Sequence, residues 1–331
     1  MAIAIRLADD RYRLQHDLAV NAKDGSVLVR VPAGEFERGD DQGTDCPKHR
    51  VRLDEYWIGV YCVTNRRYGG VVEETKHRAP DGVWQAGRSP EAKLDHPVVN
   101  VSWDDAVAYG KWSGLSLPSE AQWEKAARGP QGLSYPWGSG WDESRCRNDK
   151  SKGSEQTASA WGYPAGASGT GTYQQGGNVY EWCADWYEEK YYAQSPTENP
   201  PGPQAGAYRV GRGGSWRNDD ASNFRGAYRN RNDPSNRNDN QGFRLVSTVL
   251  QARTRNCPIH RFPCSAHAET KPRTPPPPVS GKPTVAEVSH LWTGRCAHVL
   301  DDECCAARGH DVAQSCGERE GWQRAGTGTR R

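Results

Sequence analysis

The chain has 331 residues, a formal net charge of +2 and an apolar fraction of only 35%. This charge balance gives no reason to expect a nucleic-acid or membrane-surface partner. No run approaches the roughly 20 apolar residues of a membrane span, and the apolar start at residues 1–5 is too short for a secretion signal. We therefore expect a protein without a membrane span that stays in the cytoplasm, unless another route delivers it to the cell surface.

The aromatic residues are mainly amphipathic, with 13 Trp and 14 Tyr against 4 Phe, and the chain also contains 36 Gly. Buried indole and phenol groups need hydrogen-bond partners, while glycine is frequent in turns. These features are typical of a loop-rich domain, and the patterns of strands and helices predict the α+β fold class.

Composition divides the chain into a short lead-in at 1–25, a domain at 26–250 and a tail at 251–331. Six of the ten Cys lie in the tail, which also contains four consecutive Pro and has little apolar periodicity. Such a composition is typical of a disordered appendage.

Potential metal ligands occur in the tail with the spacing Cys-x2-His-x3-Cys-x2-His, at Cys257, His260, Cys264 and His267. Four such ligands can hold zinc tetrahedrally, but the gap between the two pairs is short compared with that of ordinary zinc fingers. The alternative, which the spacing favours, is a set of reduced cysteines in a flexible segment.

The first part of the domain has the alternating pattern of short strands. Apolar and β-branched residues predict a strand at 26–31 and a strand region within 50–61, and the segment 32–39 is predicted to be a turn. Thr64 is positioned to cap a short helix that ends near Val72.

Two further helices have clear start signals. Ser102 and Asp105 are spaced as a capping box, in which each side chain bonds the other residue's backbone N–H, and Gly114 ends that helix. Ser119 and Gln122 form a second capping box. Both helices are expected to have structural roles only.

Eight short motifs follow one another in the domain. They are Val31-Pro-Ala-Gly-Glu-Phe36, Tyr61-Cys-Val-Thr-Asn65, His96-Pro-Val-Val-Asn-Val-Ser-Trp103, Leu117-Pro-Ser-Glu-Ala-Gln-Trp-Glu-Lys-Ala-Ala-Arg-Gly129, Tyr135-Pro-Trp-Gly138, Gly177-Asn-Val-Tyr-Glu-Trp182, Arg212-Gly-Gly-Ser-Trp216 and Gly242-Phe-Arg244. Their sequence and order resemble those of the formylglycine-generating enzymes, also called sulfatase-modifying factors. The resemblance implies a loop-rich, C-type-lectin-like fold with two main helices and small twisted antiparallel sheets.

The chemistry of the family depends on two cysteines that follow the Arg-Gly-Gly-Ser motif. In active members they bind Cu(I) and use dioxygen to oxidise a substrate cysteine to formylglycine. The equivalent positions in this chain fall near Asn218 and Asn223. Neutral amides are hard ligands that cannot replace thiolates for a soft ion such as Cu(I). We therefore expect no copper and no catalytic residue, and lean away from an enzyme.

Two other functions stay open. The first is a formylglycine-generating oxidase acting on a cysteine-containing peptide, with another cysteine supplying the thiolate. Cys183 is one candidate, but its place in a structural motif favours a small buried thiol. The second is a noncatalytic regulatory domain of the same family, whose partners lie on separate chains.

Residues 177–181 match a calcium loop of the family. The resemblance implies ligands from the backbone carbonyls of Gly177 and Val179 and from the carboxylate of Glu181, and hard oxygen ligands suit Ca²⁺. The family usually has Asn or Asp where this chain has Gln174, which weakens the expected site. The alternative is that Glu181 caps local backbone amides.

The segment before the last motif is rich in asparagine. Seven of the 24 residues from Arg217 to Asn240 are Asn, and none is Cys. Many amide donors and acceptors on loops suit adaptable recognition of a protein or glycan surface. The alternative is that these residues only form turns and keep the loops soluble.

Residues 209–246 are similar to the variable region in target proteins of diversity-generating retroelements, some of which use this scaffold. Adenine-directed mutagenesis varies the side chains of a ligand-binding face in those proteins. The resemblance implies a fixed framework of Gly213, Gly214, Arg229, Gly242, Phe243 and Arg244. The displayed ligand-binding residues would be Trp216, Arg217, Asn218, Asp219, Asn223, Tyr228, Asn230, Asn232, Asn236, Asn238 and Asn240. We expect a noncatalytic ligand-binding protein.

Overall fold

The computed structural model describes residues 17–248, so the tail and its zinc-like spacing lie outside the described residues. This part of the chain forms ten short strands, three α-helices of nine or more residues and a fourth of four residues. In the described range, no helix combines the length and apolar character required to cross a membrane.

The strands form two four-stranded sheets and a hairpin. They are β1 (Leu18–Val20), β2 (Val27–Val31), β3 (Gly34–Arg38), β4 (His49–Leu53), β5 (Tyr56–Gly59), β6 (Tyr180–Trp186), β7 (Arg209–Arg212), β8 (Arg229–Asn232), β9 (Gln241–Phe243) and β10 (Val246–Ser247). The first sheet has the order β1-β2-β5-β10 and the second β8-β7-β6-β9, while β3 pairs with β4. All of these pairs are antiparallel except β6 with β9.

The three longer helices begin where the capping signals predict. The helices are α1 (Asn65–Thr75), α2 (Trp103–Ser113), α3 (Glu120–Arg128) and the short α4 (Tyr191–Gln194). Ser102 Oγ accepts a hydrogen bond from the N–H of Asp105, and Asp105 Oδ2 accepts one from the N–H of Ser102. Ser119 and Gln122 form the same reciprocal pair before α3. Both capping boxes are confirmed, as is the end of α2 at Gly114, whose φ is 73°.

Two local structures differ from the sequence prediction. Helix α1 continues to Thr75, past its expected end at Val72. Its Gly70 lies against Trp112 of α2, where a Cβ would approach the ring to 2.8 Å, so close helix packing explains the glycine. The turn predicted at 32–39 is wrong, because Phe36 is fully buried within β3, which pairs with β4 along its whole length.

The apolar core lies on both sides of α3. One cluster packs β2 to β5 against that helix, and a second joins α1 and α2 to the second sheet. In the second cluster the rings of Tyr68 and Tyr109 stack 5.7 Å apart, and Phe243 of β9 meets both edge-on. The strand that directly follows the Asn-rich segment, β9, is therefore part of the core.

Buried ion pairs join α3 to the second sheet. Glu120 and Glu124 are at most 1% exposed, and Arg212 of β7 reaches both, at 2.7 and 2.9 Å. Arg229 of β8 also pairs with Glu120 at 2.7 Å, and Arg38 of β3 lies 3.4 Å from it. Burial raises the pKa of Glu120, but the three guanidiniums outweigh it and hold this pKa at about 2.

Neutralising Glu120 should destabilise the fold strongly. We expect Glu120→Gln to lower the free energy of unfolding by about 3–5 kcal/mol, because it leaves three guanidiniums without their shared charge. Glu73→Gln, at an exposed position on α1, should change it by no more than about 0.5 kcal/mol. Urea unfolding measures both, and equal losses would contradict the proposed role of the buried pairs.

Asp185 of β6 is a buried carboxyl group with a raised pKa. One of its oxygens accepts the N–H of Glu120 at 2.7 Å, while the other has no hydrogen-bond partner. Burial, and then the nearby Glu120 charge, raise the pKa of Asp185 from 3.8 to about 7.

The proton on Asp185 should make stability depend on pH. From pH 3.8 to about 7 the folded protein retains a proton that the unfolded chain releases. The contribution of this group is therefore complete below pH 3.8 and is lost as the pH rises to about 7. We expect the stability of the wild type to fall relative to that of Asp185→Asn across this window in urea unfolding. Parallel pH profiles would show that Asp185 does not titrate in this way.

Candidate functional site

Two glycines that precede the Asn-rich segment pack closely against their surroundings. Gly213 lies against α3, and Gly214 lies against a later part of the Asn-rich segment. Gly213 and Gly214 have φ values of 99° and 72°, which side chains rarely adopt. A Cβ at Gly213 would lie 3.0 Å from Trp123, and one at Gly214 would lie 2.9 Å from the carbonyl oxygen of Asn223. Both positions therefore require glycine, which supports their expected framework role.

The two ends of the segment are joined around Ser215. Asn218 Oδ1 accepts hydrogen bonds from the N–H and the hydroxyl of Ser215, both at 2.9 Å. Asn240 donates to the same hydroxyl at 3.1 Å, and Arg217 pairs with Asp239 at 2.7 Å. Side chains that the sequence assigned to ligand binding thus also hold the loop together.

Trp216 is not displayed. It is only 5% exposed, its indole N–H donates to the carbonyl of Asp239, and the cations of Lys152 and Arg217 lie 5.2 and 4.9 Å from its ring centroid. The prediction that Trp216 faces a ligand is wrong, because this large ring supplies the apolar centre of an otherwise polar loop.

The other predicted residues reach the surface to different degrees. Arg217, Asp219 and Asn236 are exposed. The half-buried ones are Asn218, Asn223, Tyr228, Asn230, Asn232, Asn238 and Asn240. Recognition would therefore use side chains that are partly held by their neighbours.

Three of the predicted residues line one open depression of ≈ 490 Å³. Arg217, Asn238 and Asn240 form part of its wall. Sequence analysis missed the other lining residues, Asn100, Arg237 and Asp239.

The missed residues fall into two groups. Arg237 and Asp239 alternate with the Asn of the same segment, a signal that a search by Asn identity overlooked. Asn100 lies far away in sequence and gave no such signal, yet its N–H donates to the carbonyl of Asn238 at 3.0 Å.

The depression is polar but its cations are neutralised. Arg217 pairs with Asp239, and Arg237 pairs with Asp105 of α2 at 2.9 Å. The remaining lining residues present amides, which both donate and accept hydrogen bonds. The arrangement suits a neutral polar ligand surface better than a strongly charged one.

Asn218 and Asn223 lie near the positions that the resemblance assigns to the two thiols, and neither residue is a cysteine. Asn218 is engaged with Ser215 and also hydrogen-bonds the buried Tyr180, while the amide of Asn223 donates to the carbonyl of Asp220. Neither amide suits Cu(I), so these residues do not fit the copper site that the resemblance implies.

The cysteines of residues 17–248 do not supply a reactive thiolate. All four are at most 3% exposed: Cys46, Cys62, Cys146 and Cys183. Burial raises the pKa of Cys46 to about 11, that of Cys146 to about 12, and those of Cys62 and Cys183 well above the usual value. Since a thiolate is the reactive form, both burial and the raised pKa values disfavour reaction of these four thiols at neutral pH.

The residues predicted for calcium do not fit the ion. Both carboxylate oxygens of Glu181 are engaged, one by Arg244 Nε at 2.6 Å and Trp123 Nε1 at 2.7 Å, the other by Arg244 Nη2 at 2.7 Å and Cys62 Sγ at 3.2 Å. A calcium ion there would face the guanidinium. The carbonyl of Gly177 accepts the N–H of Val179.

Glu181 is therefore an ion-pair partner rather than a backbone cap, the alternative that the sequence left open. Within the described range, no three His, Cys, Asp or Glu side chains come together as a metal-ligand set.

Comparison with known proteins agrees with this fold. The family model for the sulfatase-modifying factor enzyme 1-like domain matches residues 15–249. The chain belongs to this family. The formylglycine-generating enzyme of Streptomyces coelicolor is 36% identical over 282 residues, covering 66% of this chain and 88% of that enzyme.

Another relative by sequence and one solved structure extend the comparison. The mouse inactive C-alpha-formylglycine-generating enzyme 2 is 29% identical over 279 residues, covering 67% of this chain and 86% of that protein. The solved Treponema denticola variable protein 1 has a TM-score of 0.59 at 22% identity, covering 71% of this chain and 99% of that one. The predicted α+β, C-type-lectin-like fold is confirmed.

Removing the charge of Glu181 should destabilise the protein in a way that calcium does not reverse. We expect Glu181→Gln to lose about 3–5 kcal/mol of stability, since Arg244 would stay buried without its partner. In thermal unfolding, the wild type should have the same Tm in millimolar calcium as in millimolar magnesium, and the variant should have a lower Tm that also does not depend on which ion is present. A calcium-specific rise of the wild-type Tm that Glu181→Gln abolishes would contradict this arrangement.

Proposed function

We propose that the protein is a noncatalytic member of the sulfatase-modifying factor family that binds a protein or glycan surface through its Asn-rich segment. The observation that carries the proposal is the presence of Asn218 and Asn223 near the positions that the resemblance assigns to the thiols, with the Asn218 side chain bound to Ser215. An amide held in this way neither binds Cu(I) nor becomes a nucleophile. The existence of a mouse relative that is named inactive is consistent with such a loss.

The polar depression supports recognition as the remaining role. Residues on its wall come from both ends of the Asn-rich segment and from Asn100, which precedes α2. Amide groups on a braced loop can be replaced without disturbing the ion pairs below, because those pairs involve Arg212, Arg229 and Arg244 instead. This division suits a surface whose side chains vary between copies, as in a diversity-generating retroelement target.

The oxidase alternative has a direct test. Purified protein incubated with Cu(I), dioxygen and a cysteine-containing sulfatase-motif peptide should yield no formylglycine by mass spectrometry, since residues 17–248 place no thiol at the site. A parallel reaction with the Streptomyces coelicolor relative, named a formylglycine-generating enzyme, serves as the positive control. Formylglycine formed by this protein at a comparable rate would contradict the noncatalytic assignment.

Variation of the segment can be tested in the genome. Deep sequencing of codons 209–246 in a clonal population should find substitutions concentrated at the Asn positions and confined to adenine-containing codons. The codons of Arg212, Arg229 and Arg244 should stay constant, because these side chains are buried and paired. An invariant segment would contradict active diversification, but it would not contradict ligand binding by the same surface.

A further inference from the structure

The side chains of β8 alternate between two surfaces. Arg229 and Arg231 lie on one face, with their Cζ atoms 4.7 and 4.8 Å from the ring centroid of Tyr187. Asn232 lies on the other face, where its amide donates to Gln241 Oε1 at 3.2 Å. The arginine face is therefore separate from the Asn-rich surface.

The two arginines differ in their charge partners. Arg229 is 6% exposed and is ion-paired with Glu120. Arg231 is exposed, and no carboxylate of residues 17–248 forms a salt bridge with it. The nearby Asp45 accepts the hydroxyl of Tyr187 at 2.9 Å and lies 3.7 Å from Arg229. Arg231 thus carries a positive charge that the described part of the fold does not neutralise.

Two aromatic rings restrict the guanidinium of Arg231. Its Cζ lies 4.8 Å from the centroid of Tyr187 and 5.8 Å from that of Tyr208, which is 45% exposed. A guanidinium beside aromatic faces is partly desolvated and oriented, so it loses less freedom when its N–H groups bind a carboxylate. Tyr and Arg are also the residue types that protein interfaces favour.

We propose that Arg231, Tyr208 and Tyr187 form a docking surface for an acidic peptide segment of a partner protein. A carboxylate of the segment receives the paired N–H groups of Arg231, and the adjoining methylene groups pack on the exposed ring of Tyr208. Because this surface faces away from Asn232, it does not depend on the proposed Asn-rich binding site. One face of β8 then binds the acidic segment of the partner protein, and the opposite face belongs to the proposed Asn-rich binding site.

The test uses the full chain and a fluorescein-labelled hexaglutamate peptide, with binding followed by fluorescence anisotropy at low salt. Arg231→Gln should weaken binding about tenfold, the loss expected for one charge-assisted contact. Arg50→Gln is the matched control, because Arg50 is also exposed on a strand but has no aromatic ring beside it in the described residues; it should change binding less than about twofold. Arg231→Lys should bind nearly as weakly as Arg231→Gln, because lysine keeps the charge but lacks the planar fork.

Thermal unfolding of each variant confirms that the fold is retained, as expected for exposed side chains. The absence of saturable hexaglutamate binding to the wild type would overturn the proposal, and so would equal weakening by Arg231→Gln and Arg50→Gln. Polygalacturonate forms a second arm of the experiment. Binding of this acidic glycan through Arg231 without binding of hexaglutamate would also overturn the assignment to a peptide.

Discussion

Buried pairing of arginine with glutamate is the constraint on which the rest of this structure depends. Arg212 and Arg229 reach Glu120 of α3, and Arg244 reaches Glu181 of β6, all with the ions excluded from water. A buried guanidinium without its carboxylate is strongly destabilising, so these contacts fix where each strand of the segment can lie. The backbone between these anchors is held at both ends.

The anchoring residues are separate from the positions at which the resemblance places the two thiols. Asn218 and Asn223, near the positions that the resemblance assigns to the thiols, lie between the anchors. Asn218 hydrogen-bonds Ser215 and Tyr180, and Asn223 hydrogen-bonds Asp220, but neither takes part in an ion pair. A change of side chain at either position therefore breaks none of the buried ion pairs. The polar depression thus lies next to strands that are held by buried ion pairs. Arg231 is exposed on the opposite face of β8, where it is available for a different contact.

Local signals predicted local structure well. Both capping boxes and the glycine end of α2 follow from residues three to twelve positions apart, because a helix terminus is completed by its own neighbours. The errors concern distant partners. The burial of Trp216 depends on Lys152 and Asp239, and the pairing of Glu181 with Arg244 joins residues 63 positions apart. The resemblance supplied the fold and the Asn positions, but not which side chains brace the loop and which reach solvent.

We expect residues 209–246 to combine an ion-paired framework that does not tolerate substitution with a surface that does. Saturation mutagenesis of this segment, scored by the yield of protease-resistant folded protein displayed on cells, measures that division directly. Most substitutions at exposed Arg217, Asp219 and Asn236 should leave the yield unchanged, whereas nearly all substitutions at Arg212 and Arg244 should abolish it. Equal sensitivity of the two groups would contradict this division into an ion-paired framework and a tolerant surface.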